Sequence, residues 1–238
     1  MKKMFLGMMI TALLILSACS LTTVSGSLEQ DAIEIKKDSS TELEVALEVG
    51  VGELRVSEGA NEWVEGNIEY NVDKLDPKVS YELIDHKGHV VISQDDGKFG
   101  INNIGDVQNN WDIKLTNEIP IDLQIDAGVS DTELDLRGLQ LNNLKIDAGV
   151  GDITLDLSGD WEQGFNTHFS AGVGSSTITL PSDFGVIIET DKGIVSADYI
   201  NLKSLGEGVY VNDAYDASNQ HIKLNMDLGI GDVTFKVE

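Results

Sequence analysis

A short motif built on Gly-x-Gly recurs along the chain and constrains the fold more than any other feature. Residues 125–131 read IDAGVSD and residues 146–152 read IDAGVGD, an offset of 21 residues. The other copies begin at Leu47, Phe169, Ile188 and Met226. Recurrence at about 20 residues is typical of solenoids, in which each copy forms one rung that packs on its neighbours.

Apolar and polar residues alternate within each copy. Leu123 and Ile125 flank Gln124, and the same period of two continues through the other copies. A period of two predicts strands with one buried and one exposed face, and Gly-x-Gly supplies the tight turn between two of them. No helical stripe follows the first 18 residues. We therefore predict an all-β fold with a single-stranded, β-helix-like β-solenoid over residues 121–238, in rungs of about 20 residues.

An antiparallel sandwich with regular hairpins is the alternative architecture. Stacked rungs place like residues in columns, so the equal offsets favour the solenoid. Residues 41–120 alternate less regularly and predict an antiparallel β meander before the solenoid. In that meander we expect strands at 53–57, 64–70, 79–85 and 89–93, a turn at 86–88 and a loop at 99–110.

Four segments of the first half carry a family resemblance: EGNIEYNV (65–72), PKVSYE (77–82), NWDIKL (110–115) and PIDL (120–123). They resemble the toast-rack N-terminal domain, and the Gly-Val-Gly-Asp copies resemble the adhesin-like β-solenoid domain found with it. The resemblance covers residues 40–238. The same domain type ends the cell-wall-active-antibiotic response proteins, which are membrane-bound regulators of envelope stress. The resemblance implies a fold and transfers no catalytic residue.

The N-terminus has the features of a bacterial lipoprotein signal. Lys2 and Lys3 precede an apolar run over residues 4–16, which ends in the lipobox-like sequence Leu16-Ser17-Ala18-Cys19. We predict a signal peptide over residues 1–18, lipidation of Cys19, and a tether over residues 19–40. Palmitate and related acyl chains on Cys19 would hold the chain on the extracytoplasmic face of the cell membrane.

The charge balance excludes several classes of partner. The chain has 16 basic and 41 acidic residues, a net charge of −25. Cleavage before Cys19 removes two lysines and leaves 14 basic residues, so the charge becomes −27. Such a field repels nucleic acid and anionic lipid headgroups. A single cysteine allows no internal disulfide and no cysteine-ligated zinc.

Stacking in register would bring carboxylates side by side. The expected pairs are Asp126 with Asp147, Asp131 with Asp152, and Asp135 with Asp156. These pairs are weak candidates for calcium binding, because solvation of the exposed face is the simpler expectation and the nonapeptide calcium motif is missing. We predict no other metal or cofactor. A site at Asp85, His86 and His89 is disfavoured because Lys87 would repel a cation at an open hairpin tip.

Nothing in the sequence indicates catalysis. The Gly-x-Ser-x-Gly elbow is missing, and residues 172–176 lack the lysine of a phosphate loop. The many carboxylates fall on the exposed face rather than in a cleft. Trp63, Trp111 and Trp161 could stack on sugars, although indoles near strand ends more often cover the core.

We therefore predict a non-enzymatic binding or scaffolding module of the cell envelope, adhesin-like, whose partner is an envelope protein or a cell-wall polymer. The alternatives are an accessory to envelope-stress signalling and, third, a cation-dependent or carboxylate-based enzyme.

Overall fold

The computed structural model describes residues 26–94 and 107–238, which form one continuous sheet of fourteen strands. The strands are β1 Glu29–Ile35, β2 Glu42–Glu58, β3 Val64–Tyr70, β4 Lys78–Ile84, β5 Lys87–Ser93, β6 Asn109–Leu115, β7 Ile121–Asp135, β8 Leu141–Val150, β9 Ile153–Asp156, β10 Asn166–Leu180, β11 Gly185–Ile200, β12 Lys203–Gly206, β13 Val209–Val211 and β14 His221–Val237. Single 3-10 turns cover Asp73–Leu75 and Tyr215–Ala217. In this part of the chain no helix is long and apolar enough to cross a membrane. The all-β prediction is confirmed.

The Gly-x-Gly copies form parallel rungs that stack in register. Strand β7 pairs with β8 through its first arm and with β9 through its second arm, and β10 repeats both pairings. Strand β2 stacks on the other side of β7, again in parallel and over both arms. Each rung therefore runs along one face, bends at its Gly-x-Gly corner and returns along the other. Parallel pairing confirms the solenoid and excludes the antiparallel sandwich.

The order of the rungs departs from the order of the chain at the C-terminus. The C-terminal strand β14 lies between β10 and β11 and pairs in parallel with both. Its inward row includes Leu224, Met226 and Phe235, all buried. In β11 the counterparts of Met226, Val233 and Phe235 are Thr190, Ala197 and Tyr199, which are smaller or more polar and are half-buried. The more apolar copy thus gains a neighbour on each side, and the less apolar copy lies toward the end of the stack.

Columns of apolar side chains fill the space between the two arms. One column runs through Val45, Leu123, Leu144, Thr167, Leu224 and Ile188, one residue per rung. All six are buried, and five of them are aliphatic. Full burial of one such aliphatic side chain contributes about 1.5–3 kcal/mol. The repeat is thus stabilised by residues that meet their own counterparts in the next rung.

The first half of the chain adds antiparallel strands to this stack. Strands β1, β3 and β6 pair antiparallel, and β4 and β5 form a hairpin. The first arm of β2 pairs in parallel with β5 and its second arm pairs in parallel with β6. The predicted meander is therefore interleaved with the first rung rather than placed before the solenoid.

Three local predictions in this half are corrected. Residues 29–35, predicted as tether, form strand β1, since Ile33 and Ile35 are buried against the neighbouring strands. The hairpin turn lies at Asp85 and His86, whose φ values of 50° and 67° suit a tight turn, so Lys87 already begins β5. Strand β6 begins at Asn109, inside the predicted loop. Residues 95–106 of that loop lie outside the described residues.

Asp38 fastens the segment between β1 and β2. Its carboxylate accepts hydrogen bonds from the Ser40 backbone N–H and hydroxyl at 2.9 and 2.6 Å, from Tyr81 Oη at 2.6 Å and from Trp63 Nε1 at 3.1 Å. Burial raises the pKa of Asp38, but these hydrogen bonds outweigh burial and hold the pKa well below its usual range. The Asp38 carboxylate thus connects the segment before β2 with Trp63, before β3, and with Tyr81, in β4.

Candidate functional site

The Gly-x-Gly corners lie directly above one another along one edge of the solenoid. A Cβ added at Gly149 would overlap the carbonyl oxygen of Gly128, and one added at Gly172 would overlap that of Gly149. The second glycine of the corner also needs an unusual backbone, with φ of 150° at Gly174. Close stacking of the backbones therefore explains the first glycine in five of the six rungs. The positive φ explains the second glycine in four of the six rungs; Ser130 and Val195 stand at that position in the other two.

The residue two positions before the first corner glycine is acidic in most rungs, and these residues form a first acidic row along the stack. One residue per rung lies in register, and four of the six positions are aspartate. In stack order the six are Glu48, Asp126, Asp147, Ser170, Asp227 and Asp191. The predicted contact of Asp126 with Asp147 is confirmed.

Two neighbouring side chains reduce repulsion in this first acidic row. Lys145 Nζ lies 2.6 Å from an Asp147 carboxylate oxygen, and Gln124 Nε2 donates to Asp126 at 2.8 Å. The hydrogen bond to Asp147 raises the pKa of Lys145. Glu48, Asp191 and Asp227 remain exposed at the ends of the row. The first row therefore keeps a negative surface.

A second acidic row lies on the other side of the corners. It comprises Glu53, Asp131, Asp152 and Asp232, all exposed, with Ser175 between Asp152 and Asp232. The Asp152 backbone N–H donates to the Asp131 carboxylate at 3.3 Å, and the Ser175 N–H donates to Asp152 at 2.9 Å. The predicted neighbours Asp131 and Asp152 are thus confirmed. Each of these two carboxylates caps a backbone amide of the next rung.

The third predicted pair, Asp135 with Asp156, is also confirmed. Arg137 contacts both carboxylates, with hydrogen bonds of 2.7 and 2.6 Å to Asp135 and a 3.5 Å ion pair to Asp156. The hydrogen bonds from Arg137 hold the pKa of Asp135 below its usual range. Arg137 thus offsets part of the negative charge of this pair.

A line of exposed aliphatic side chains runs between the two acidic rows. The residue that follows the first corner glycine is valine or isoleucine in every rung, and successive members pair in register. We call the exposed members the aliphatic ridge: Val129 (45% exposed), Val150 (48%), Val173 (47%), Ile230 (54%) and Ile194 (78%). Val51, in the first rung, is instead buried, and Asn109 donates a hydrogen bond to its carbonyl oxygen. The ridge therefore begins at Val129 in β7, the rung next to β2, and does not include the rung that β6 covers.

Sequence reasoning missed this ridge although its signal is present in the repeat. A period of two predicts that apolar residues point inward, and Gly-Val-Gly by itself indicates only a turn. The conserved spacing within the copies already placed an aliphatic residue at each corner. Only the register of the rungs showed that these residues form one continuous line.

Other sequence candidates do not assemble into sites. His89 Nδ1 lies 3.4 Å from Glu44, whereas Asp85 and His86 occupy the hairpin turn. Among residues 26–94 and 107–238, no group of three or more His, Cys, Asp or Glu side chains could hold a metal ion. Calcium binding stays a prediction. Leu16, Ser17, Ala18 and Cys19 lie outside the described residues.

The tryptophans cover the core rather than forming a sugar platform. Trp63 and Trp111 are buried, and the Trp111 indole N–H donates to Asn109 at 3.0 Å. Trp161 is half-buried, with its N–H bonded to the Leu157 carbonyl oxygen and its ring 4.7 Å from that of Phe165. The prediction that indoles near strand ends cover the core is confirmed.

Comparison with known proteins identifies a matching family and similar solved structures. Residues 24–179 match the family described as the N-terminal domain of toast_rack, DUF2154. A comparison with curated proteins finds no match. A solved structure from Clostridium sporogenes, a "putative cell adhesion protein", aligns over 89% of this chain and 100% of its own, with 27% identity and a TM-score of 0.86.

Two further solved structures are less similar. A "putative adhesin" from Bacteroides fragilis shares 12% identity over 87% of this chain and 96% of its own, with a TM-score of 0.33. One from Parabacteroides distasonis shares 11% identity over 90% and 98%, with a TM-score of 0.24.

Proposed function

The chain belongs to the family of the toast-rack N-terminal domain, and from this premise we propose that it is a non-enzymatic, adhesin-like binding or scaffolding module of the cell envelope. The observation that carries the proposal is the exposed edge of the solenoid, where the aliphatic ridge and two acidic rows repeat along the stack. Repetition of one surface over several rungs suits binding of an extended partner. The similar solved structure from C. sporogenes, a "putative cell adhesion protein", supports the same class of function.

The exposure of the carboxylates along this edge supports a binding role rather than catalysis. The carboxylates lie in exposed rows along strands, and Arg137 bridges one neighbouring pair, Asp135 and Asp156. A carboxylate-based hydrolase instead requires two carboxyl groups in a cleft with divergent pKa values. A row of solvated carboxylates on successive rungs instead favours binding of an extended partner that carries positive charge along its length.

We further propose that a lipid on Cys19 attaches this module to the extracytoplasmic face of the membrane. The lipobox-like sequence and the single cysteine of the chain support this anchor. Strand β1 begins at Glu29, so about nine residues separate it from Cys19. Nine extended residues reach roughly 30 Å, which lets a strongly acidic domain stand clear of an anionic bilayer.

Labelling and fractionation test the anchor. Wild-type protein should incorporate labelled palmitate, remain with membranes until detergent is added, and be digested by protease supplied to protoplasts or spheroplasts, whose cytoplasmic membrane is intact. The Cys19→Ser variant should lose the label and leave the membrane fraction. Label that persists in this variant, or protection from external protease, would refute the proposed location.

A further inference from the structure

We propose that the aliphatic ridge, together with the two acidic rows beside it, binds a basic amphipathic helix of a partner protein. This inference rests on the proposed binding function and names the chemistry of the partner. The ridge presents five aliphatic side chains on consecutive rungs, each between 45% and 78% exposed. Single exposed aliphatic residues are ordinary, but an aligned set marks an interaction surface.

The fold itself does not require aliphatic residues at these positions. The corner depends on its glycines, because backbone carbonyl groups of adjacent rungs approach closely there. The intervening side chain points into solvent, where a polar residue would cost less. Valine or isoleucine nevertheless stands at each of the five exposed corners. A bound apolar surface would explain this choice.

The charges beside the ridge select the class of partner. The first row contributes Glu48, Asp126, Asp147, Asp191 and Asp227. The second row contributes Glu53, Asp131, Asp152 and Asp232. Lys145 pairs with Asp147, Arg55 pairs with Glu53, and His168 Nε2 lies 3.8 Å from Asp227. Most of the nine carboxylates can therefore attract a basic partner. An apolar line between two negative rows is complementary to an apolar strip with basic residues along both edges.

The same charges disfavour other occupants of the ridge. An anionic lipid surface or an anionic cell-wall polymer would be repelled by both rows. A second copy of this chain would present the same negative rows and a net charge of −25. Stacking on neutral sugars needs exposed aromatic rings, but Trp63 and Trp111 are buried. A positively charged protein segment fits best.

The spacing of the ridge indicates a helix. Rungs are separated by about 4.8 Å, so four steps from Val129 to Ile194 span roughly 19 Å. Apolar residues repeating every 3.5 positions along a helix advance about 5.3 Å per step, or about 21 Å over four steps. Alternate residues of a strand advance about 6.7 Å per step, or about 27 Å. A helix of about 15 residues can therefore keep one apolar residue opposite each rung.

A designed peptide tests the proposal with the purified protein. The probe is a fluorescently labelled 15-residue helix former with leucine every three to four positions and lysine on both edges of the leucine strip. Its comparison peptide has the same composition in an order that spreads leucine around the helix. Fluorescence anisotropy should show binding of the amphipathic peptide at least tenfold tighter than binding of the scrambled peptide. Equal affinity for both peptides would overturn the proposal.

Variants of the protein locate the binding surface. The ridge variant carries Val150→Thr, Val173→Thr and Ile230→Thr, which retain β-branching at exposed positions. The control carries Val79→Thr, Leu83→Thr and Ile84→Thr, which remove three exposed aliphatic residues from β4. The ridge variant should bind the peptide at least tenfold more weakly, whereas the control should bind like wild type. Equal loss in both variants would overturn the assignment to the ridge.

Charge and membrane measurements separate the remaining outcomes. Glu48→Gln with Asp227→Asn and Asp232→Asn should weaken peptide binding and flatten its dependence on salt between 50 and 300 mM. Vesicles of phosphatidylglycerol and phosphatidylcholine should not bind the ridge; ridge-dependent vesicle binding would overturn the proposal in favour of a lipid surface. These assays need no lipid on Cys19, so failure of the anchor and failure of the ridge are distinguishable.

Discussion

Replacement of Thr167 by valine should stabilise the solenoid. Thr167 is fully buried in the core column that it shares with Leu144 and Leu224. Within the described residues its side-chain oxygen has no hydrogen-bond partner. A buried hydroxyl without a partner costs about 1–3 kcal/mol, and the added methyl group of valine buries further apolar surface. The shape of the side chain is unchanged, so no cavity or overlap offsets the gain.

The net change expected for Thr167→Val is about 1–2 kcal/mol. For a chain of this size, 1 kcal/mol shifts the melting temperature by about 2–4 °C. We therefore expect the melting temperature of the Thr167→Val variant, followed by circular dichroism, to rise by about 2–8 °C. The urea midpoint should rise with an unchanged m-value, which would show that the native state itself is stabilised.

Thr132→Val provides a matched control with the opposite sign. Thr132 is also buried, but its hydroxyl lies 3.1 Å from that of Ser130, which is buried as well. Valine at this position removes the hydrogen bond and leaves the Ser130 hydroxyl without this partner, so stability should fall by about 1 kcal/mol. If Thr167→Val lowers the melting temperature, or if both variants shift it equally, the reasoning from the unpaired hydroxyl is wrong.

Three further predictions concern the corners, Asp38 and calcium. Gly149→Ala should lower the melting temperature by several degrees because its Cβ would overlap the Gly128 carbonyl oxygen, whereas Gly50→Ala should be tolerated because its Cβ would lie 3.8 Å from the nearest atom; equal effects would contradict the stacking argument. Since the folded-state pKa of Asp38 is depressed, its charge stabilises the fold above pH about 4 and loses that effect as the pH falls. The difference in melting temperature between wild type and Asp38→Asn should thus be larger at pH 7 than at pH 3, and a difference independent of pH would count against the charge. Millimolar calcium should raise the melting temperature if a cation binds the acidic rows, and an unchanged value would end the calcium prediction.

Much of the fold could be predicted from the sequence because its signals are local. Alternation around Leu123 and Ile125 identifies a strand whatever its partner is, and equal offsets identify stacked copies. The neighbours Asp126 and Asp147 followed from the offset alone, since stacking in register pairs equivalent positions. Prediction failed for β1, where only Ile33 and Ile35 mark the inward face of a short strand between charged residues.

The candidate site was predictable in part. Rows of carboxylates follow from the repeat, but their partners do not, because Arg137 lies two residues from Asp135 and also reaches Asp156 in the next rung. The exposure of Val150 and Val173 was equally hidden. Hydrophobicity predicts burial, and only the bend of the backbone at the corner turns these side chains outward.

The sequence by itself determined that this chain is all-β, with glycine-cornered copies whose acidic positions repeat at nearly equal offsets. Those properties depend on spacing between residues near one another in the chain. Only the tertiary structure decided that β14 lies between β10 and β11, and that the corners align into one exposed ridge. Several copies could stack on one another in the same register. The order of the rungs therefore depends on which inward side chains gain most from burial between two neighbouring rungs. That free energy belongs to the assembled core rather than to any single repeat.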